Sequence, residues 1–308
     1  MSVSMKKLLT SLLLILLVLG AVTYLFHQRI NTPQNTSGQI QIVAAENFYG
    51  DVASQIGGNK VQVLSLLSDP NADPHEYESS DSDAQAVTNA NIVIENGDGY
   101  DTWMDKLLSA SPSDTRIVLV GANLATDKLA DNPHVWYGIS NIQTIAASIA
   151  VSLEKTDPKD SSYFAANLKT FTASLVPLQQ KTGEIQQKFH GIPVGLTETI
   201  YLYQTGPMQL NVLTPLAFER AIAEGNDPSA DDVATSNDQI TKKEIKVLIY
   251  NEQTVTPITT NLENEAKAAG IPIVGVTETM PQAKHYQSWM LDEMNALSAA
   301  LATTSRVQ

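Results

Sequence analysis

Short β-branched runs alternating with helical stretches constrain this chain more than any other feature. Ile40 to Ala44, Val61 to Leu66, Ile92 to Glu95 and Arg116 to Val120 come first, and Pro193 to Leu196, Lys246 to Tyr250 and Pro272 to Val276 follow. A strand reaches a parallel neighbour only through a crossover, so this alternation predicts α/β architecture with parallel sheets. Between the two sets lies Asp157 to His190, where Phe164, Leu168, Phe171, Leu175, Leu178 and Ile185 fall near helical spacing. Pro177 lies inside it and predicts a kink or a break, because proline lacks the amide donor and crowds the preceding turn. The expected fold is two lobes, each with a parallel β-sheet flanked by helices, joined by one long linking helix. Its divisions are 1–38 as signal or anchor segment and linker, 39–156 as N-terminal lobe, 157–190 as linking helix and 191–308 as C-terminal lobe.

Lys6 and Lys7 precede an apolar stretch from Leu8 to Phe26, and Arg29 follows it. Its length approaches the ~20 residues that span a bilayer's hydrocarbon core, and lysines ahead of it keep that end cytoplasmic. Near Gly20 and Ala21 a cleavage site has Leu or Val at its outer small position, which disfavours removal. The segment is therefore expected to tether the rest at the cell surface, outside the cytoplasm, with secretion the outcome if it is cleaved. Asn31 to Gly38 reads as a flexible linker.

Composition then removes whole classes of chemistry. All of the Asp and Glu residues lie beyond residue 38, and the chain's formal charge is -14, so a nucleic-acid partner is not expected. With no cysteine there are no disulfides, thiol nucleophiles, cysteine zinc sites or iron–sulfur clusters. Any metal must be held by His, Asp, Glu and water.

Ligands of parallel α/β sheets bind outside the carboxyl ends of the strands, so polar residues just after each strand form a natural set. In the first lobe, Asp73-Pro74-His75-Glu76-Tyr77 follows one strand, and Asn132-Pro133-His134-Val135-Trp136 closes the loop after another. In the second lobe two strands run into Thr197-Glu198-Thr199 and Thr277-Glu278-Thr279. Each residue alone has a bland explanation: a histidine after proline is commonly solvated, and such a glutamate can simply favour a helix start. Together, His75, His134, Glu198 and Glu278 make an N2O2 set for a divalent ion in the cleft between lobes. Glu252, in Asn251-Glu252-Gln253, is expected behind the ligands or in a structural role rather than on the metal, with the choice between it and Glu278 as fourth ligand open. His27 falls in the anchor segment 1–38, and His190 and His285 are expected in structural or surface roles.

Asp73-Pro74-His75-Glu76-Tyr77-Glu78, Asn132-Pro133-His134-Val135-Trp136, Glu198 with Tyr201 and Tyr203, and Thr277-Glu278-Thr279 resemble the zinc and manganese solute-binding proteins of ABC transporters, from about Ile40 to Leu301. The resemblance implies two lobes with a rigid linking helix, a Zn2+ or Mn2+ ion buried between them, and delivery to a membrane permease by a monomeric receptor that is not an enzyme. It matches His75 and His134 to the family's histidine ligands, Glu198 to a position that is His in many zinc members and Glu in manganese-type ones, and Glu278 to one where Asp is usual. Three features depart from it: Ala21 stands where a lipidated cysteine would be, Gly121 to Pro133 holds no histidine, and Glu278 is one methylene longer than Asp. The alternatives are a surface adhesin or scaffold with a structural metal, and a metallohydrolase with an open coordination position.

Overall fold

The computed structural model describes residues 38–69, 74 and 77–304. The apolar segment 8–26, its linker up to Ser37 and His75 lie outside the described residues, and among those described no helix is long and apolar enough to cross a membrane.

The first sheet contains β1 (Ile40–Glu46), β2 (Val61–Leu67), β3 (Ile92–Glu95) and β4 (Ile117–Val120), all parallel, in the order β2-β1-β3-β4. The second contains β5 (Pro193–Leu196), β6 (Asn211–Val212), β7 (Val247–Asn251) and β8 (Ile273–Val276), parallel in the order β6-β5-β7-β8. The two sheets therefore repeat one winding order. Edge strand β6 has only two residues, too few to show any period, and it is absent from the sequence-based pattern.

Both faces of the central strands are covered, which explains their continuous apolar runs. In β1, Ile40, Ile42 and Ala44 join the large core while Val43 and Ala45 pack on the opposite face with Val87, Trp103 and Met104. In β7, Val247 and Ile249 face the same large core and Leu248 packs outward with Phe218, Ile222 and Leu262. One continuous apolar core thus touches both sheets.

Helix α1 (Asn47–Gly57) returns from β1 to β2 across that core. Outside the first sheet run α2 (Asp81–Asn89) and α3 (Thr102–Ala110), and the short α4 (Gly121–Leu124) follows β4. Helix α5 (Ile139–Thr156) precedes the linking segment, which is helical from Pro158 to Phe189 as a 3-10 turn followed by α6 (Ser161–Ser174) and α7 (Val176–Phe189). The expected break occurs at Leu175, and Pro177 occupies the first turn of α7, where its missing N–H leaves no hydrogen bond unmade. Phe164, Phe171, Leu175, Leu178 and Ile185 are all buried. Helix α6 packs on α1 and α5, and α7 packs on the C-terminal helix.

In the second half come α8 (Leu202–Thr205), α9 (Leu216–Ala223), α10 (Ala230–Thr241), α11 (Pro257–Ala269) and α12 (Tyr286–Thr304). Helix α12 buries Trp289, Met290, Met294, Leu297 and Leu301, one face at helical spacing, in the core shared by both sheets.

Candidate metal centre

The carboxyl ends of β5 and β8 and the loop before a 3-10 turn at Val135–Tyr137 converge on one buried point. Glu198 lies two residues beyond β5 with an extended backbone, Glu278 two beyond β8, and His134 immediately ahead of the 3-10 turn. Potential ligand atoms of His134, Glu198 and Glu278 all lie within 4.8 Å of one another. His134 Nε2 is 3.9 Å from Glu198 Oε2 and 4.0 Å from Glu278 Oε2. Their residues are 0%, 2% and 1% exposed, so water does little to screen the two carboxylates from each other.

Hydrogen bonds set each group's aim. His134 Nδ1 sits 2.9 Å from Asn132 Oδ1; as this oxygen can only accept, the ring keeps its proton on Nδ1 and turns the Nε2 lone pair toward the carboxylates. Asn132 is itself held by donating to Thr199 O at 2.8 Å. Asn251, at the end of β7, donates through Nδ2 to Glu198 Oε1 (3.1 Å) and to Glu278 Oε1 (2.6 Å). Thr254 Oγ1 adds a donor to Glu278 Oε1 at 3.0 Å, and Tyr100 Oη donates to Glu278 Oε2 at 2.9 Å.

Tyr100 reaches that far because the loop behind it is tightly folded. Asp101 accepts from the N–H groups of Asn96 and Gly97, each at 2.7 Å. Gly97 has φ +75°, and a Cβ there would collide with Val120, so this turn requires glycine. His134 is seated edge-on to Trp136 and Tyr100, with ring centroids 5.2 and 5.9 Å away.

Burial, and then the neighbouring Glu278 carboxylate, push the Glu198 carboxyl well above the usual range; the Ile200 N–H and Asn251 oppose this. Glu198 Oε2 is buried and accepts no hydrogen bond among the described residues. An anionic oxygen in that position needs a cation, because burial of an unpaired charge is costly. The donor set suits a divalent transition ion. A tetrahedron with bonds of ~2.1 Å has edges of ~3.4 Å, so the two His–Glu separations of 3.9 and 4.0 Å need contract by only about half an ångström, and the widest separation, within 4.8 Å, by more, to hold an ion.

Three of the residues singled out in the sequence thus come together, and His75 lies outside the described residues. Glu252 does not belong with them. Side chains alternate along a strand, so buried Asn251 faces the carboxylates while its exposed neighbour Glu252 turns to the other side, over Gly275 and 3.5 Å from Tyr250 Oη. Of the two places expected for it, behind the ligands or in a structural role, this geometry fits the structural one. His190 is exposed at the end of α7, and exposed His285 pairs with Asp51 at 2.7 Å. Asn132, Asn251, Thr254 and Tyr100 were not recognised from the sequence as orienting groups.

Two like-wound parallel sheets thus meet at a buried imidazole–dicarboxylate cluster whose donors suit a divalent cation. The chain belongs to the family described as ZnuA, zinc-uptake complex component A, periplasmic, whose model matches residues 42–300. That family consists of transporter binding components rather than enzymes.

A Streptococcus anginosus protein named manganese ABC transporter substrate-binding lipoprotein PsaA is 30% identical over 206 residues, 61% of this chain and 63% of its own length. A Streptococcus pyogenes serotype M1 protein named iron ABC transporter substrate-binding lipoprotein MtsA is 28% identical over 193 residues, 57% of this chain and 61% of its own. The matched part therefore spans less than two thirds of these relatives. Both are named lipoproteins, whereas this sequence contains no cysteine.

Among solved structures, the periplasmic zinc binding protein TroA from Treponema pallidum superposes with a TM-score of 0.74 at 18% identity, covering 86% of this chain and 99% of that one. The nickel complex of FpvC from P. aeruginosa gives 0.71 at 21% identity, covering 86% and 97%. At these identities the likeness establishes the fold.

Proposed function

We propose that this protein is the extracytoplasmic receptor of an ABC transporter, capturing one divalent transition-metal ion and handing it to a membrane permease. The observation that carries this is the buried cluster itself: His134, Glu198 and Glu278 point donor atoms at one another across the junction of the two halves, with Glu198 Oε2 lacking a hydrogen bond among the described residues. His75 serves as the fourth ligand, as its sequence motif assigns. Residues 39–156 and 191–308 act as the lobes, 157–190 as their connection and 1–38 as the tether of a monomeric receptor.

Zinc and manganese both suit imidazole and carboxylate, and the relatives' names include manganese and iron. Elemental mass spectrometry of protein purified without added metal tests the proposal. About one equivalent of zinc or manganese, lost in the His134→Ala variant, is expected. Protein that carries no transition metal and takes up none on addition would overturn it.

A further inference from the structure

We infer that Asn251 holds Glu198 and Glu278 to one metal-facing oxygen each and thereby biases the site toward zinc over manganese. This rests on the metal-receptor function proposed above.

The sheet order explains why Asn251 can do this. Strand β7 lies between β5 and β8, so the residue at its end stands between the two strand ends that carry the carboxylates. Asn251 Oδ1 accepts from Gln253 N at 2.9 Å, which fixes the amide's orientation and turns Nδ2, a donor only, toward the glutamates. Nδ2 then engages Oε1 of both, at 3.1 and 2.6 Å, and Thr254 Oγ1 adds a second donor to Oε1 of Glu278. The Oε2 atoms are the ones beside His134 Nε2. Oε1 of Glu278 already accepts from Asn251 and Thr254, and Glu198 accepts from Asn251 and the Ile200 N–H while its Oε2 accepts nothing among the described residues, so for either Oε1 to join Oε2 on a metal a hydrogen bond must give way. With Asn251 only 3% exposed, water is poorly placed to replace the bond lost.

Denticity matters because the two metals need different shells. Zinc is satisfied by four donors in a tetrahedron, whereas manganese favours an octahedral, oxygen-rich shell. Carboxylates confined to one oxygen each supply the first arrangement and fall short of the second. Selectivity for zinc over manganese therefore exceeds what the same ligands would give if free to rotate.

The test compares wild type, Asn251→Ala, Thr254→Val and His134→Ala by competitive titration with zinc and manganese, together with X-ray absorption of the loaded proteins. Melting of the metal-free proteins confirms that each variant folds. Asn251→Ala is expected to narrow the zinc-to-manganese affinity ratio by about tenfold, in line with losing a hydrogen bond to a charged group, and to add oxygen scatterers around manganese. Thr254→Val, which removes a donor to Glu278 and an acceptor of Asn251 Nδ2 while leaving Asn251 on both glutamates, should move both readings the same way by less, and it carries the test if Asn251→Ala does not fold. An unchanged ratio with unchanged oxygen scatterers overturns the role of Asn251 while leaving the receptor function intact. Metal binding that His134→Ala does not weaken overturns the receptor function itself.

Discussion

Asn132 Oδ1 accepts from both the backbone N–H and the ring Nδ1 of His134, at 3.1 and 2.9 Å, while the Asn132 amide donates to Thr199 O next to Glu198. One side chain thus fixes the imidazole's tautomer and ties it to the opposite carboxylate's backbone. Groups that orient a metal-bound histidine in this way are worth roughly 10–100-fold in affinity. Asn132→Ala is expected to weaken zinc binding by that order in a calorimetric titration, with the fold retained. An affinity within twofold of wild type would contradict the orienting role.

Two glutamates at the ends of neighbouring strands should behave oppositely. Glu198→Gln keeps an oxygen but removes the charge, so metal affinity should fall by at least about tenfold, the scale of a charge-assisted contact. Glu252→Gln, on the outward side of β7, should leave affinity unchanged within about twofold. The same titrations decide both, and a large effect at position 252 would place that carboxylate in the site after all.

Glu219, not itself a ligand but close enough for its charge to push Glu198 up, offers a stability test. It is 1% exposed, both its oxygens lack hydrogen bonds among the described residues, and burial alone pushes its carboxyl up to about 9. The unfolded-state value is ~4.3, so between about pH 5 and pH 9 the folded chain keeps a proton that the unfolded chain has lost. Stability from this residue therefore falls as pH rises through that window. Glu219→Met should raise the melting temperature of the metal-free protein at pH 8, by an amount equivalent to roughly a few kcal/mol, and do so less at pH 5. Equal destabilisation at both pH values would show that the carboxyl has partners the fold depends on.

Protons and metal compete for the imidazole. A saturating ion stabilises the native state by mass action, so zinc or manganese should raise the melting temperature at neutral pH. That gain should fade as pH drops below the ordinary imidazole value of ~6.5. Magnesium, which prefers oxygen ligands and sheds water reluctantly, should shift it little. A thermal series from neutral pH to about pH 5 with the three metals checks this; a magnesium shift equal to manganese's would contradict an imidazole-based site.

The sequence exposed His134, Glu198 and Glu278 because each follows a β-branched run, and parallel sheets collect such positions at one edge. Hydrophobic spacing likewise marked the linking segment, down to the interruption near Pro177. Face and partner were less legible. Asn251 and Glu252 are adjacent at the end of one strand, and a one-residue difference reverses which side is presented; the charged residue drew attention while the amide faces the site. Asn132 could not be distinguished from an ordinary loop asparagine, since its role depends on contacts with His134 and with Thr199, 67 residues away.

The central claim is that His134 and the two glutamates bind a divalent transition metal. Calorimetric titration of metal-free protein with zinc, run in parallel on His134→Ala and His190→Ala, tests it most directly. The expected result is one site per chain, affinity at least about a hundredfold weaker in His134→Ala, and no change in His190→Ala, whose side chain is exposed at the end of α7. Equal affinities for the two variants, or no saturable binding by the wild-type protein, would contradict it.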